Sequence, residues 1–130
     1  APLPEAKSEW RIAVPPVRLD ADDPRLRHKT SDRALYDDTR AALPDGTDEV
    51  IFLNERGEVC EGTITNVFFD LGDGLCTPRL TCGCLPGVLR AEMVAMGHAR
   101  EAVLTAADLS RARLWVGNSL RGLIAATLGP

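Results

Sequence analysis

Three short motifs in this chain carry groups with complementary chemistry. Lys29 lies in His28-Lys29-Thr30-Ser31-Asp32-Arg33. Glu61 opens Glu61-Gly62-Thr63-Ile64-Thr65-Asn66. Pro86-Gly87-Val88-Leu89-Arg90 reads as the start of a helix. An amine whose pKa is lowered by desolvation or a nearby cation attacks carbonyl carbon, and Arg27 and Arg33 flank Lys29. A carboxylate on a strand end can hold a cationic ring nitrogen in its protonated form. The free amides of a helix N-terminus bind phosphate. Each group alone also has an ordinary reading: a solvated lysine, a glutamate at the end of a strand, a helix that follows Pro-Gly. Thr63, Thr65 and Asn66 lead into the apolar Val67-Phe68-Phe69, which suggests side chains facing a pocket. Gly117-Asn118-Ser119 offers a second small loop with a hydroxyl. Asn118 reads equally as a turn residue and Ser119 as a helix cap. Arg121 can meet a carboxylate bidentately or form a surface ion pair.

The elements that must position these groups follow from pattern. Trp10 to Val14 reads as a strand stopped by Pro15-Pro16, and residues 17–28 as a charged loop. Thr30 or Ser31 can cap a helix over 32–43, with Leu35, Thr39 and Ala42 at helical spacing. Asp48 to Asn54 is a strand around Val50-Ile51-Phe52-Leu53. Glu55-Arg56-Gly57 turns it into a partner over Glu58 to Cys60. Val67 to Phe69 and Leu75 to Thr77 form a second hairpin across Gly72-Asp73-Gly74. A helix over 86–97 has Pro86 in its first turn, Gly97 at its end and Leu89, Met93 and Met96 as its apolar stripe. Thr105 to Asp108 resembles a capping box for a short helix over 105–112. Leu114 to Val116 is a strand, and Leu123 to Leu128 a final apolar segment. Helix, two hairpins, two helices and a strand indicate an α+β fold, not a doubly wound parallel sheet.

The 130 residues make one domain, with enough apolar residues (45%) for a real core. A net charge of -4 disfavours non-specific nucleic-acid binding and docking on an anionic membrane. No apolar run approaches the ~20 residues of a membrane span. Ala1-Pro2-Leu3-Pro4-Glu5 lacks the regions of a signal peptide, so the cytoplasm is the expected compartment. Cys60, Cys76, Cys82 and Cys84 lack Cys-x-x-Cys spacing. They read as reduced, half-buried small residues, and no metal site is expected.

An amine, a carboxylate and a helix N-terminus are the groups needed to hold pyridoxal phosphate by its aldehyde, ring nitrogen and phosphate. Their order resembles the C-terminal domain of fold-type IV pyridoxal-phosphate enzymes, which include branched-chain and D-amino-acid aminotransferases and 4-amino-4-deoxychorismate lyases. The resemblance rests on Lys29 with Asp32-Arg33, Glu61 to Asn66, Thr77-Pro78, Gly87-Val88-Leu89-Arg90 and Gly117-Asn118-Ser119. Cys82 to Gly87, together with Asn118-Ser119-Leu120-Arg121-Gly122, is most similar to lyase domains fused to aminodeoxychorismate synthase. It implies the C-terminal domain of the D-amino-acid aminotransferase-like fold, with a mixed sheet, hairpins and packed helices. Lys29 would be the Schiff-base lysine and proton shuttle, and Glu61 the partner of the pyridine nitrogen. The amides of Val88 and Leu89, with Asn118 and Ser119, would hold the phosphate. Thr65 and Asn66 would lie near cofactor and substrate, and Arg121 would face the substrate. Leu89 stands where many relatives carry a threonine. The implied partners are a small-molecule substrate, an N-terminal domain that this sequence lacks and a second subunit in a homodimer. Residues 1–27 would be a leader and interdomain strand, and 28–130 the cofactor-binding domain. The implied reaction yields 4-aminobenzoate and pyruvate from 4-amino-4-deoxychorismate. The alternatives are a class IV aminotransferase on branched-chain or D-amino acids, or an inactive isolated domain.

Overall fold

The structure is a computed structural model that describes residues 9–21 and 34–129. Its strands are β1 (Glu9–Ala13), β2 (Arg18–Leu19), β3 (Glu49–Asn54), β4 (Val59–Gly62), β5 (Asn66–Asp70), β6 (Leu75–Pro78), β7 (Arg100–Ala102), β8 (Arg113–Asn118) and β9 (Gly122–Leu128). The helices are α1 (Ala34–Ala41) and α2 (Val88–Ala95). The fold is α+β, as the order of elements indicated.

Six strands close on themselves. β3 pairs with β1, β1 with β9, β9 with β8, β8 with β5, β5 with β4, and β4 returns to β3. β1 lies parallel to both of its neighbours, and the other four pairings are antiparallel. Ring closure removes the exposed edges that an open sheet would present. Period-two alternation sends Trp10 and Ile12, Ile51 and Leu53, Val67 and Phe69, Leu114 and Val116, and Ile124 and Ala126 into one shared core. Alternate residues of β3, Val50 and Phe52, join Cys60, Leu19, Tyr36 and Cys82 in a second cluster on the other face. That two-sided burial explains the unbroken apolar run of β3.

Several local expectations need correction. The segment after Pro16 was read as loop, but β2 adds a two-residue parallel pairing to the far end of β3. β1 and β2 thus hydrogen-bond into the same sheet as the residues beyond 28. β7 carried no sequence signal. It is a three-residue strand held by parallel pairing with β6. The last apolar segment is a strand, joined to β8 by a tight turn. On α1 the buried residue is Tyr36, while Leu35 stays exposed. α2 starts at Val88 with Gly87 as its N-cap, so Pro86 precedes the helix. Its buried residue is Arg90, and Met96 is 70% exposed. Arg90 lies under the helix, where its Nη2 donates to Pro78 O (2.9 Å) and to the Glu101 carboxylate (2.6 Å) while its buried Nε has no partner among the described residues. The segment after Thr105 is a 3-10 helix, Ala106–Arg111, without a side-chain cap; Ala106 N donates instead to Gly57 O.

The four cysteines are free and fully buried, not half-buried. Burial pushes the Cys60 and Cys82 thiols up and raises Cys84 to about 12. No His, Cys, Asp and Glu cluster among the described residues could hold a metal ion. No described helix is long and apolar enough to cross a membrane.

Candidate active site

A cleft opens at one end of the barrel, where the β4–β5 connection, the approach to α2 and the end of β8 meet. Residues 61–66, Leu85, Gly87, Val88, Asn118 and Ser119 line it. Three segments spread between residues 61 and 119 therefore face one space.

A register shift lies beside the Glu61 carboxylate. Between Ile51 and Leu53, β3 advances two residues while β4 spans Val59 to Gly62, three steps. The extra residue is a β-bulge, a device that redirects side chains beside functional sites. Glu61 is 3% exposed. Its Oε2 accepts a hydrogen bond from the Tyr36 hydroxyl at 2.7 Å, and its Oε1 accepts from Leu85 N at 3.0 Å.

A second carboxylate, absent from the sequence-based site, organises the loop. Glu49 is completely buried. It accepts hydrogen bonds from Thr63 N at 3.0 Å, Ile64 N at 3.1 Å, Thr65 Oγ1 at 3.0 Å and the Thr63 hydroxyl. Arg40 balances its charge at 3.5 Å. The loop closes so tightly over Glu49 that a Cβ on Gly62 would lie 2.5 Å from Thr65 Oγ1 and 2.6 Å from Glu49 Oε2. The only sequence signal for Glu49 was an acid opening an otherwise apolar strand. Its partners follow 14 to 16 residues later.

Thr65 and Asn66 line the cleft, but their side chains hold the scaffold. Thr65 donates to Glu49, and Asn66 Nδ2 donates to Leu85 O at 2.9 Å. Gly87 admits Asn66 closely, since any Cβ there would overlap Asn66 Oδ1. The Leu85 peptide is thus held through its N–H by Glu61 and through its carbonyl by Asn66. Those two bonds fix the approach to α2.

At the start of α2, Gly87 gives no side-chain cap, so the first-turn amides face the cleft end without one. Val88 lines the cleft, whereas Leu89 does not. Leu89 packs toward Gly117, where a Cβ would meet its Cδ2 at 3.0 Å. Asn118 combines its turn role with a tie between loops. Its Oδ1 accepts from Leu120 N (3.1 Å) and Arg121 N (2.9 Å), and its Nδ2 donates to Ile64 O (3.0 Å). Ser119 follows β8 in the turn and lines the cleft, so it caps no helix. Arg121 lies outside the lining, with its guanidinium 5.3 Å from the centre of the Trp10 ring. It pairs with no carboxylate among the described residues. Lys29 lies outside the described residues, as do the other residues of its motif.

Known proteins share this architecture. A solved structure from Mesorhizobium loti, assigned as an amino-acid aminotransferase, superposes with a TM-score of 0.89 at 55% identity, covering 99% of this chain and 63% of that one. A second, from Legionella pneumophila, assigned as a 4-amino-4-deoxychorismate lyase, gives a TM-score of 0.84 at 27% identity over 92% of this chain and 47% of that one. In sequence, the aminodeoxychorismate lyase of Bacillus subtilis is 37% identical over 87 residues, 58% of this chain and 28% of the lyase. The chain therefore spans less than two thirds of the length of each. Residues 1–128 match the family described as amino-transferase class IV, and the chain belongs to that family.

Proposed function

We propose that this chain is the C-terminal, cofactor-binding part of a pyridoxal-phosphate-dependent lyase that converts 4-amino-4-deoxychorismate to 4-aminobenzoate and pyruvate. The observation that carries the reading is the convergence of Glu61, the α2 N-terminus and Ser119 on one cleft. The cleft fits the cofactor at both ends. Glu61 is a buried carboxylate in the cleft lining, suited to a protonated pyridine nitrogen. The Val88 amide and the Ser119 hydroxyl suit a phosphate dianion, and Glu61 is the only acidic side chain among the lining residues. Bound there, pyridoxal phosphate supplies an electron sink for the carbon from which a proton is taken.

The chain's own residues do the rest. Lys29 anchors the cofactor covalently and then moves the proton next to the substrate nitrogen. Glu61 holds the ring-nitrogen proton, Val88 and Ser119 anchor the phosphate, and Thr65 and Asn66 keep the loop in place. The remainder of the longer protein closes the pocket, and a homodimer in the cytoplasm is its proposed setting.

The lyase assignment leans on Asn118 to Gly122 and on the Bacillus subtilis relative. The Mesorhizobium loti structure favours a second reading, an aminotransferase on the same site. Pyruvate release from 4-amino-4-deoxychorismate without an amino acceptor supports the lyase; glutamate formation from 2-oxoglutarate with no pyruvate supports the aminotransferase. Borohydride reduction with cofactor should modify Lys29. Modification of Lys7, the only other lysine in the sequence, would remove Lys29 from the mechanism.

A further inference from the structure

Helix α1 reaches both site carboxylates with side chains one turn apart. Residues i and i+4 share a helix face. Tyr36 donates to Glu61 at 2.7 Å, and Arg40 lies 3.5 Å from Glu49. Arg40 Nη1 also donates to Asp48 O at 3.2 Å and to the Thr63 hydroxyl at 3.3 Å. Its guanidinium lies 5.9 Å from the centre of the Trp10 ring. The Tyr36 ring packs on Phe52 with centroids 5.1 Å apart, and the residue is 5% exposed. Packing in this apolar cluster would be served equally by phenylalanine. The hydroxyl adds a hydrogen bond to a buried carboxylate, where water does not compete.

We infer that Tyr36 is a positioning residue that sets the aim of Glu61 into the cleft, with Arg40 fixing the adjoining loop through Glu49. This rests on the reading of Glu61 as the cofactor's ring-nitrogen partner, and it adds that α1 sets that partner's orientation. Tyr36→Phe removes one oxygen and keeps the ring. Glu61 then keeps the Leu85 amide but loses the Tyr36 donor on Oε2.

The test is a double-mutant cycle on the cofactor dissociation constant, read by absorbance titration of the complete protein. Tyr36→Phe should weaken binding about tenfold in the wild-type background, as for a hydrogen bond to a charged acceptor. In a Glu61→Gln background the same change should cost less than about twofold. Equal losses in both backgrounds would mean a packing role and overturn the inference, as would no loss in either. If Glu61→Gln alone binds cofactor like wild type, the ring-nitrogen reading itself falls, and the inference with it. A second readout needs no Tyr36 variant to fold. Site-specific incorporation of 3-fluorotyrosine at position 36 of the complete protein places a fluorine reporter there. Its 19F resonance should move when pyridoxal phosphate is added to wild type and stay still in Glu61→Gln. An unmoved resonance in wild type would contradict the inference.

Discussion

β5 is entered and left through two short connections that are built in opposite ways. Thr63–Thr65, which joins β4 to β5, has two of its three residues buried and is stitched to Glu49, a carboxylate from another strand. Leu71–Gly74, which joins β5 to β6, is exposed throughout, and Asp70 closes it locally by accepting Gly72 N at 2.6 Å. One end needs long-range buried polar contacts and two close-approach glycines, Gly62 and Gly87. The other needs only the positive φ of Gly72 and Gly74. The difference separates a loop held in place for a site from a loop that only reverses the chain.

Breaking the two closures should show this most strongly. Glu49→Ala strands the Thr63 and Ile64 amides, the Thr65 hydroxyl and the Arg40 charge, at a cost of about 3–5 kcal/mol. Asp70→Ala should cost under about 1 kcal/mol. Urea denaturation midpoints compare them, and similar losses would refute the contrast.

Alkaline pH probes the buried site end from another side. The Cys60 and Cys84 thiols are held above the ordinary value of 9.0 by burial. The folded state keeps these protons where the unfolded chain has released them. Their contribution is complete below about pH 8.5 and is lost as pH rises toward 12, by about 1.4 kcal/mol per thiol per pH unit. Stability that is flat from pH 9 to 11 would contradict burial of these thiols.

The glycines sharpen the comparison. Gly62→Ala forces a methyl group against Thr65 and Glu49 and should cost about 2–3 kcal/mol. Gly72→Ala meets open space and should cost about 1 kcal/mol through its left-handed backbone. Only Gly62→Ala should also weaken cofactor binding. The smallest effect is at Ser119. Ser119→Ala should cost about 0.5–1.5 kcal/mol of cofactor affinity. Ser119→Asp, which sets a negative charge against the phosphate, should cost distinctly more. Equal affinity for Ser119→Asp and wild type in a cofactor titration would move the phosphate site elsewhere.

Where local pattern governs, the sequence was readable. Val50 to Leu53 announced β3, Glu55 to Gly57 and Gly72 to Gly74 announced the hairpin turns, and Pro86 and Gly97 announced α2 to within two residues of each end. Parallel pairing was not readable: β2 and β7 are two and three residues long and exist because a neighbouring strand holds them. Closure of the barrel is likewise a long-range event, set by β4 pairing on both sides. The cleft followed from residue types at Glu61, Val88, Asn118 and Ser119. Leu89 and Arg121 failed to line it because neighbours claimed their side chains: Gly117 approaches Leu89, and the Trp10 ring underlies Arg121. Glu49 and Tyr36 were missed because a lone acid and a lone tyrosine show no partner in sequence. The register shift beside Glu61 leaves no mark in composition.

The central claim is that pyridoxal phosphate lies between Glu61 and the α2 N-terminus. A crystal structure of the complete protein grown with the cofactor tests it most directly. The account requires the ring nitrogen within hydrogen-bond distance of Glu61 and the phosphate on Val88 N and Ser119 Oγ. Cofactor bound elsewhere, or seated in this cleft with its ring nitrogen turned away from Glu61, would contradict it.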